Sequence, residues 1–175
     1  MRVVGLDPGN VYTAWVVLDG GPPTPAFGGI MENGMLVEFL RRGVVPYDDP
    51  AYSNLWDAHV AIEMIASYGM PVGKSVFDTA LWVGRFFEAI DYSGYGVVDL
   101  VYRKDVKLHL CQSMRANDAT IRAAIIDLYG DDKRSAVGLK SSPGPLYGFK
   151  RDMWAALGVA LTHQHNLNGE ENGIQ

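Results

Sequence analysis

The sequence predicts one α/β domain built on a mixed sheet flanked by helices, and three observations carry that prediction. The stretch RVVGLDPGN at 2–10 is an apolar run that ends in an acid and a Pro-Gly turn, and VYTAWVVL at 11–18, rich in β-branched and aromatic residues, follows closely enough to pair with it as a hairpin. A second apolar run broken by one acid, AHVAIEMIA at 58–66, has the continuous character of a parallel strand covered on both faces. Helical spacing then takes over at 75–90, 117–129 and 152–167, so antiparallel pairing comes first and strand–helix units follow.

The 175 residues suffice for one domain with a sizeable core, and 48% apolar with 20% charged content is ordinary for a globular protein. We expect residues 1–168 to form that domain and 169–175 to be a flexible tail. No apolar run approaches the roughly 18 residues of a membrane span, and the chain opens without a basic and apolar leader, so the expectation is a soluble cytoplasmic protein with no membrane partner. Cys111 is the sole cysteine and cannot form an intrachain disulfide; it reads as a small buried hydrophobe. The net charge of −5 argues mildly against a general affinity for nucleic acid, unless several acids are gathered around bound cations.

In chain order, the Asp7 turn and the 11–18 strand lead into DGGPPTPAFGG at 19–29, a Gly- and Pro-rich loop. Residues 29–39 can supply a third strand, and 36–42 either closes it or begins a helix. Residues 44–57, with Pro46, Pro50, Asp48 and Asp49, read as an irregular connector. After the 58–66 strand comes the loop SYGMPVGK at 67–74, then the clearest helix at 75–90, which Ser75 and Asp78 are expected to cap as a box. Val76, Ala80, Val83 and Phe87 form one stripe of this helix, and Trp82, Phe86 and Ile90 another. Two apolar sides need two partners: the sheet and a second copy of the protein, or two layers of one monomer. We expect a homodimer through this helix.

VVDLVY at 97–102 is a further strand, and Arg103, Lys104, Lys107 and Arg115 behind it make a basic cluster. Ile121, Ala124, Ile125 and Leu128 give the 117–129 helix its apolar face. The long segment 131–150 reads as a loop carrying Lys133, Arg134, Lys140 and Lys150. The closing helix has small residues, Ala155, Ala156, Gly158 and Ala160, suited to close packing on a sheet, while His163 and His165 lie two apart and share no face.

Each of three acids has an ordinary reading beside a functional one. Asp7 can simply open its turn, Glu63 can sit in a structural ion pair at a strand end, and Asp152 can favour the positive end of its helix. Against this, a lone carboxylate at the end of a buried apolar strand is costly unless a cation faces it, and the fold order places all three at one edge of a crevice. Carboxylates from distant positions point to Mg²⁺, a hard cation that takes oxygen ligands and keeps room for a substrate phosphate. Two such ions about 4 Å apart activate a water and steady the leaving oxygen in phosphodiester hydrolysis. The acids account for the metal and the basic cluster for the phosphate polymer.

GLDPGN, VAIEMIA, the Val106-Lys107 pair and DMWAALGVALTH resemble, in order and over most of the chain, the four signature regions of RuvC-type Holliday junction resolvases. The resemblance implies a ribonuclease-H-like fold with a mixed five-stranded sheet, a homodimer, and Mg²⁺-dependent symmetric nicking of four-way DNA junctions, with Mn²⁺ able to substitute. By position, Asp7, Glu63 and Asp152 match the family's acidic metal ligands, and Lys107 a basic residue near the scissile phosphate. Tyr68 or Met70 would stack at the junction centre where the family places a wedge. Lys74, Arg103, Lys104, Arg115, Lys140 and Lys150 are the further candidate contacts to nucleic acid. One departure stands out: three residues before the last aspartate the family carries an acid or histidine, and here that position is Phe149, flanked by Lys150 and Arg151. The divergent loop before Asp152 suggests a phage or other mobile-element member. The rival readings are a ribonuclease-H-like nuclease for other branched DNA or RNA, and a catalytically weak nucleic-acid-binding module. The opening strand also resembles that of sugar kinases and actin-like ATPases, but those need two such domains and this chain has length for one.

Overall fold

A computed structural model describes residues 1–22, 24, 26–46, 58–67, 69, 71–93 and 97–173. Its centre is a five-stranded sheet of β1 (Arg2–Pro8), β2 (Tyr12–Asp19), β3 (Phe27–Glu32), β4 (Ala58–Met64) and β5 (Val97–Tyr102), in the order β3-β2-β1-β4-β5. β1 and β2 pair antiparallel, with Leu6 opposite Trp15, and β2 pairs antiparallel with β3. β1 and β4 run parallel, with Leu6 beside Ile62, and β4 runs parallel to β5. The α/β class and the mixed five-stranded sheet are as the sequence predicts.

Alternation along the strands divides the core into two layers. Val4, Leu6, Val17, Val60 and Ile62 pack beneath α1 (Asn33–Arg41) and α2 (Lys74–Ser93), where Leu36, Val37, Leu40, Val83, Phe86 and Ile90 are buried. Val3, Val16, Leu18, Ala61 and Val101 pack on the other side beneath α3 (Arg103–Cys111), α4 (Asp118–Tyr129) and α6 (Met153–Gly173). Both faces of β1 and β4 are therefore covered, which explains their unbroken apolar sequences.

Five details differ from the sequence expectations. Residues 33–41 are helical, because Leu36, Val37 and Leu40 recur at helical spacing and all three are buried. The basic cluster at 103–107 lies on α3, a helix whose single fully buried side chain is Val106, so its apolar period is faint. In α2 the Ser75 box gives way to a helix that already begins at Lys74, whose ammonium pairs with Asp78 at 2.6 Å. The stripes of α2 also divide differently: Val83 joins Phe86 and Ile90 in the core, while Phe87 faces solvent with Phe77 and Leu81. Lastly, segment 131–150 is not a featureless loop. It holds the short helix α5 (Lys133–Ala136) and a hairpin of β6 (Gly138–Leu139) with β7 (Ser142–Pro143), anchored by the fully buried Leu146. The 44–57 connector lies outside the described residues from 47 onward.

Candidate active site

Period two decides where the strand acids point. Val3 belongs to the α6 layer, and Gly5 and Asp7 follow it on that face; on β4, Ala61 and Glu63 do the same. The last parallel pair is Leu6 with Ile62, so Asp7 and Glu63 come side by side one step beyond it, at the carboxyl ends of two parallel strands. The turn after Asp7 is held by a buried amide. The Asn33 side chain donates to the Gly9 carbonyl at 2.9 Å and accepts the Thr13 hydroxyl at 2.7 Å, while the Gly9 N–H donates to the Tyr12 carbonyl at 2.9 Å.

Asp152 reaches the same place from the residue immediately before α6. Two features bring it there. A β-carbon on Gly5 would lie 2.2 Å from the Ala156 carbonyl oxygen and 2.9 Å from the Ala160 β-carbon, so α6 rests directly on the backbone of β1. Arg151, at φ 47°, takes the left-handed conformation that turns the chain into the helix. Asp7, Glu63 and Asp152 thus line one cleft of about 290 Å³, together with Arg103 from the start of α3 and Asp118 from the start of α4.

The electrostatics of this cleft are those of acids crowded out of water. Burial, then the charge of Glu63 and a hydrogen bond with it, then the charge of Asp152, push the Asp7 carboxyl up to about 9, with Arg103 opposing them. Glu63 is also raised, chiefly by burial, and Arg103 and the Asp7 hydrogen bond pull it back. Burial and mutual repulsion therefore favour a proton retained by the Asp7–Glu63 pair, shared between the two carboxyls. The Arg103 guanidinium stands 3.6 Å from Glu63 and also pairs with Asp118. Among the described residues no three His, Cys, Asp or Glu side chains stand close enough together to form a ready cation cage. The donor set nevertheless fits a hard divalent cation, since it is all carboxylate and includes a buried pair whose shared proton a cation would replace.

Basic groups border the acids on several sides. Arg103 also lines a groove with Lys104, Lys107 and Met114; Asp152 lines one with Lys150, Arg151 and Tyr12; and Asp118 lines one with Arg122, Lys133, Arg151 and Trp154. Lys107 thus flanks the acid cleft without lining it, and among the described residues Arg103 is the cation inside. Lys74 is engaged with Asp78, and the exposed Arg115 and Lys140 line neither the cleft nor these grooves. Tyr68 and Met70 lie outside the described residues. Phe149 is buried with its ring edge-on to Trp154 at 5.6 Å, so the position of the expected fourth ligand belongs to the core. Sequence reading missed Asp118 altogether, because an acid one residue after the Asn117 cap reads as a helix-start preference, and only a pairing across 15 residues reveals more.

No family model matches this sequence, and no curated protein matches it either. Solved structures do match. A Thermus thermophilus RuvC structure superposes at a TM-score of 0.64, covering 97% of this chain and 97% of that one at 18% identity. The T. thermophilus RuvC in complex with a Holliday junction substrate gives a TM-score of 0.65, covering 97% and 96%, again at 18% identity. The likeness spans the whole domain and establishes a RuvC-like, ribonuclease-H-like fold.

Proposed function

We propose that this protein is a divalent-metal-dependent endonuclease that resolves four-way DNA junctions by paired, symmetric phosphodiester hydrolysis, working as a homodimer in the cytoplasm. The observation that supports this most is the meeting of Asp7, Glu63 and Asp152 in one cleft at the carboxyl ends of β1 and β4, with cations on its borders, in a chain of RuvC-like fold from end to end. One solved neighbour holds a Holliday junction, which favours branched DNA as the polymer to be cut.

On this reading Asp7, Glu63 and Asp152 hold Mg²⁺, with Mn²⁺ able to substitute. An ion held there would supply an activated water and positive charge for the leaving oxygen. The chain's own cations handle the strand. Arg103, Lys104 and Lys107 line one groove beside the acids and Lys150 with Arg151 line another, so a backbone laid across the cleft meets positive charge on either side of its reacting phosphate. Arg115, Lys140 and Lys74 would contact DNA only further out. Tyr68 and Met70, after the β4 strand, are proposed to stack at the junction centre.

The test is cleavage of a labelled four-way junction, a flap, a linear duplex and an RNA:DNA hybrid, each with Mg²⁺ and with EDTA. We expect paired nicks on the junction alone and only with metal. Metal-dependent cutting of the flap or the hybrid instead would keep the site and reassign the substrate, and tight junction binding without any cutting would overturn the enzymatic reading.

A further inference from the structure

The cation already in the cleft is a side chain. Arg103 sets one guanidinium nitrogen, Nη1, 3.6 Å from a Glu63 oxygen, and the other, Nη2, on Asp118. The three groups differ sharply in exposure: the Glu63 side chain is 12% exposed, Arg103 24% and Asp118 88%. Nη1 is itself buried and has no hydrogen-bond partner among the described residues, so it faces Glu63 as a charge and not through a well-formed hydrogen bond. Nη2, by contrast, is seated on a carboxylate that opens to solvent. The guanidinium is therefore held firmly at its outer end and loosely at its inner one.

A divalent cation that binds Asp7 and Glu63 would place like charge within a few ångströms of Nη1, inside a partly dry cleft where that repulsion is poorly screened. One of the two cations has to leave Glu63. Arg103 has somewhere to go, because its outer nitrogen already rests on Asp118 and a turn of a flexible side chain frees the inner one. We propose that Arg103 is the resident counter-ion of Glu63, displaced when a divalent cation enters, and that Asp118 is the carboxylate that receives it. Arg103 and Asp118 are on this view positioning residues that set metal affinity. The device steadies the buried acids while no metal is bound and carries a guanidinium toward the cleft mouth, where the strand lies, when metal arrives. The inference rests on the metal-dependent reading above and adds to it the identity of the group that competes with the metal.

Titration of the full-length, metal-free protein with Mn²⁺ by calorimetry or by electron paramagnetic resonance tests this without any cleavage assay. Arg103→Gln is expected to bind Mn²⁺ on the order of tenfold more tightly than the wild type, the scale of losing one partly screened charge from the site. Arg103→Lys, which keeps the charge, should stay near the wild type, a distinction that a purely structural role would not produce. Asp118→Asn should weaken Mn²⁺ binding several-fold on its own and much less in the Arg103→Gln background, because Asp118 acts through the arginine. Equal or weaker binding by a folded Arg103→Gln would overturn the proposal. Should that variant fail to fold, the exposed Asp118→Asn carries the test, and unchanged affinity there overturns it. Failure of both the wild type and Arg103→Gln to bind Mn²⁺ overturns the metal reading, and this inference with it.

Discussion

Asp7 keeps a proton that the unfolded chain gives up near pH 4, and this has a direction in stability. Its folded value lies near 9 against 3.8 for the free side chain, so between those limits the native state binds more protons than the unfolded one. Stability of the metal-free protein therefore falls as pH rises across that window and is greatest toward its acid end. Denaturant melts at pH 5 and pH 8 should show the higher midpoint at pH 5, and Asp7→Asn, which cannot titrate, should flatten the difference while abolishing cleavage and leaving junction binding intact. A slope unchanged in Asp7→Asn would assign the effect to another group. Asn33 is the second residue whose role is local and measurable. It is fully buried and satisfies both the Thr13 hydroxyl and the Gly9 carbonyl, so Asn33→Ala strands two polar groups and should cost about 1–3 kcal/mol of stability. Loosening the turn beside Asp7 should also slow cleavage more than it weakens DNA binding, and equal losses in the two would mean that Asn33 only stabilises the fold.

At the scale of elements, the site depends on how closely α6 lies on β1. Gly5 has no side chain because the Ala156 carbonyl and Ala160 occupy that space, and Gly158, on another side of α6, leaves room for Val106, Leu110 and Ile121. Gly5→Ala must push the helix outward or bend the strand, at a cost of about 2 kcal/mol or more, and either adjustment moves Asp152 away from Asp7. We expect a lower melting midpoint together with a larger drop in cleavage than the stability loss explains at a temperature where the variant is folded; full activity there would show that the site tolerates a shifted helix. These elements were legible in the sequence because burial on both faces leaves a strand no polar positions except functional ones, so Asp7 and Glu63 stood out as interruptions. α3 was not, since with Val106 as its one fully buried side chain no apolar period marks it. The Arg103–Asp118 pair was hidden for a related reason: each residue looks like solvated charge alone, and only the docking of α3 beside α4 brings them together. Phe149 read as a missing ligand, whereas in the fold it is a core side chain packed on Trp154.

For the molecule as a whole, the symmetric cutting proposed above would require two cleft-bearing chains facing one junction, and the exposed apolar side of α2 is the surface on which that proposal can be tested. Phe77 and Leu81, at 63% and 64% exposure, stand four residues apart on its outer side, with exposed Gly84 next along the same stripe. A glycine inside an exposed helix costs about 1 kcal/mol relative to alanine, and no described residue requires it here, since a β-carbon on Gly84 would meet none of them within 4 Å. In the proposed homodimer its smoothness would suit a second helix laid across the first, which would bury Phe77 and Leu81 from both copies by isologous contact. Leu81→Glu places a charge at the centre of that contact while touching nothing in the core. It should convert a dimer of about twice the chain mass to a monomer in light scattering at micromolar concentration, with the melting profile of the monomer fold retained. The expected cleavage consequence follows from geometry: a monomer has one acid cleft, so nicks on opposing strands of a junction should become independent events where the proposed dimer would make them in pairs. A wild-type protein that scatters as a monomer would overturn the homodimer, and a Leu81→Glu variant that stays dimeric and still nicks in pairs would move the contact to some other surface of this chain.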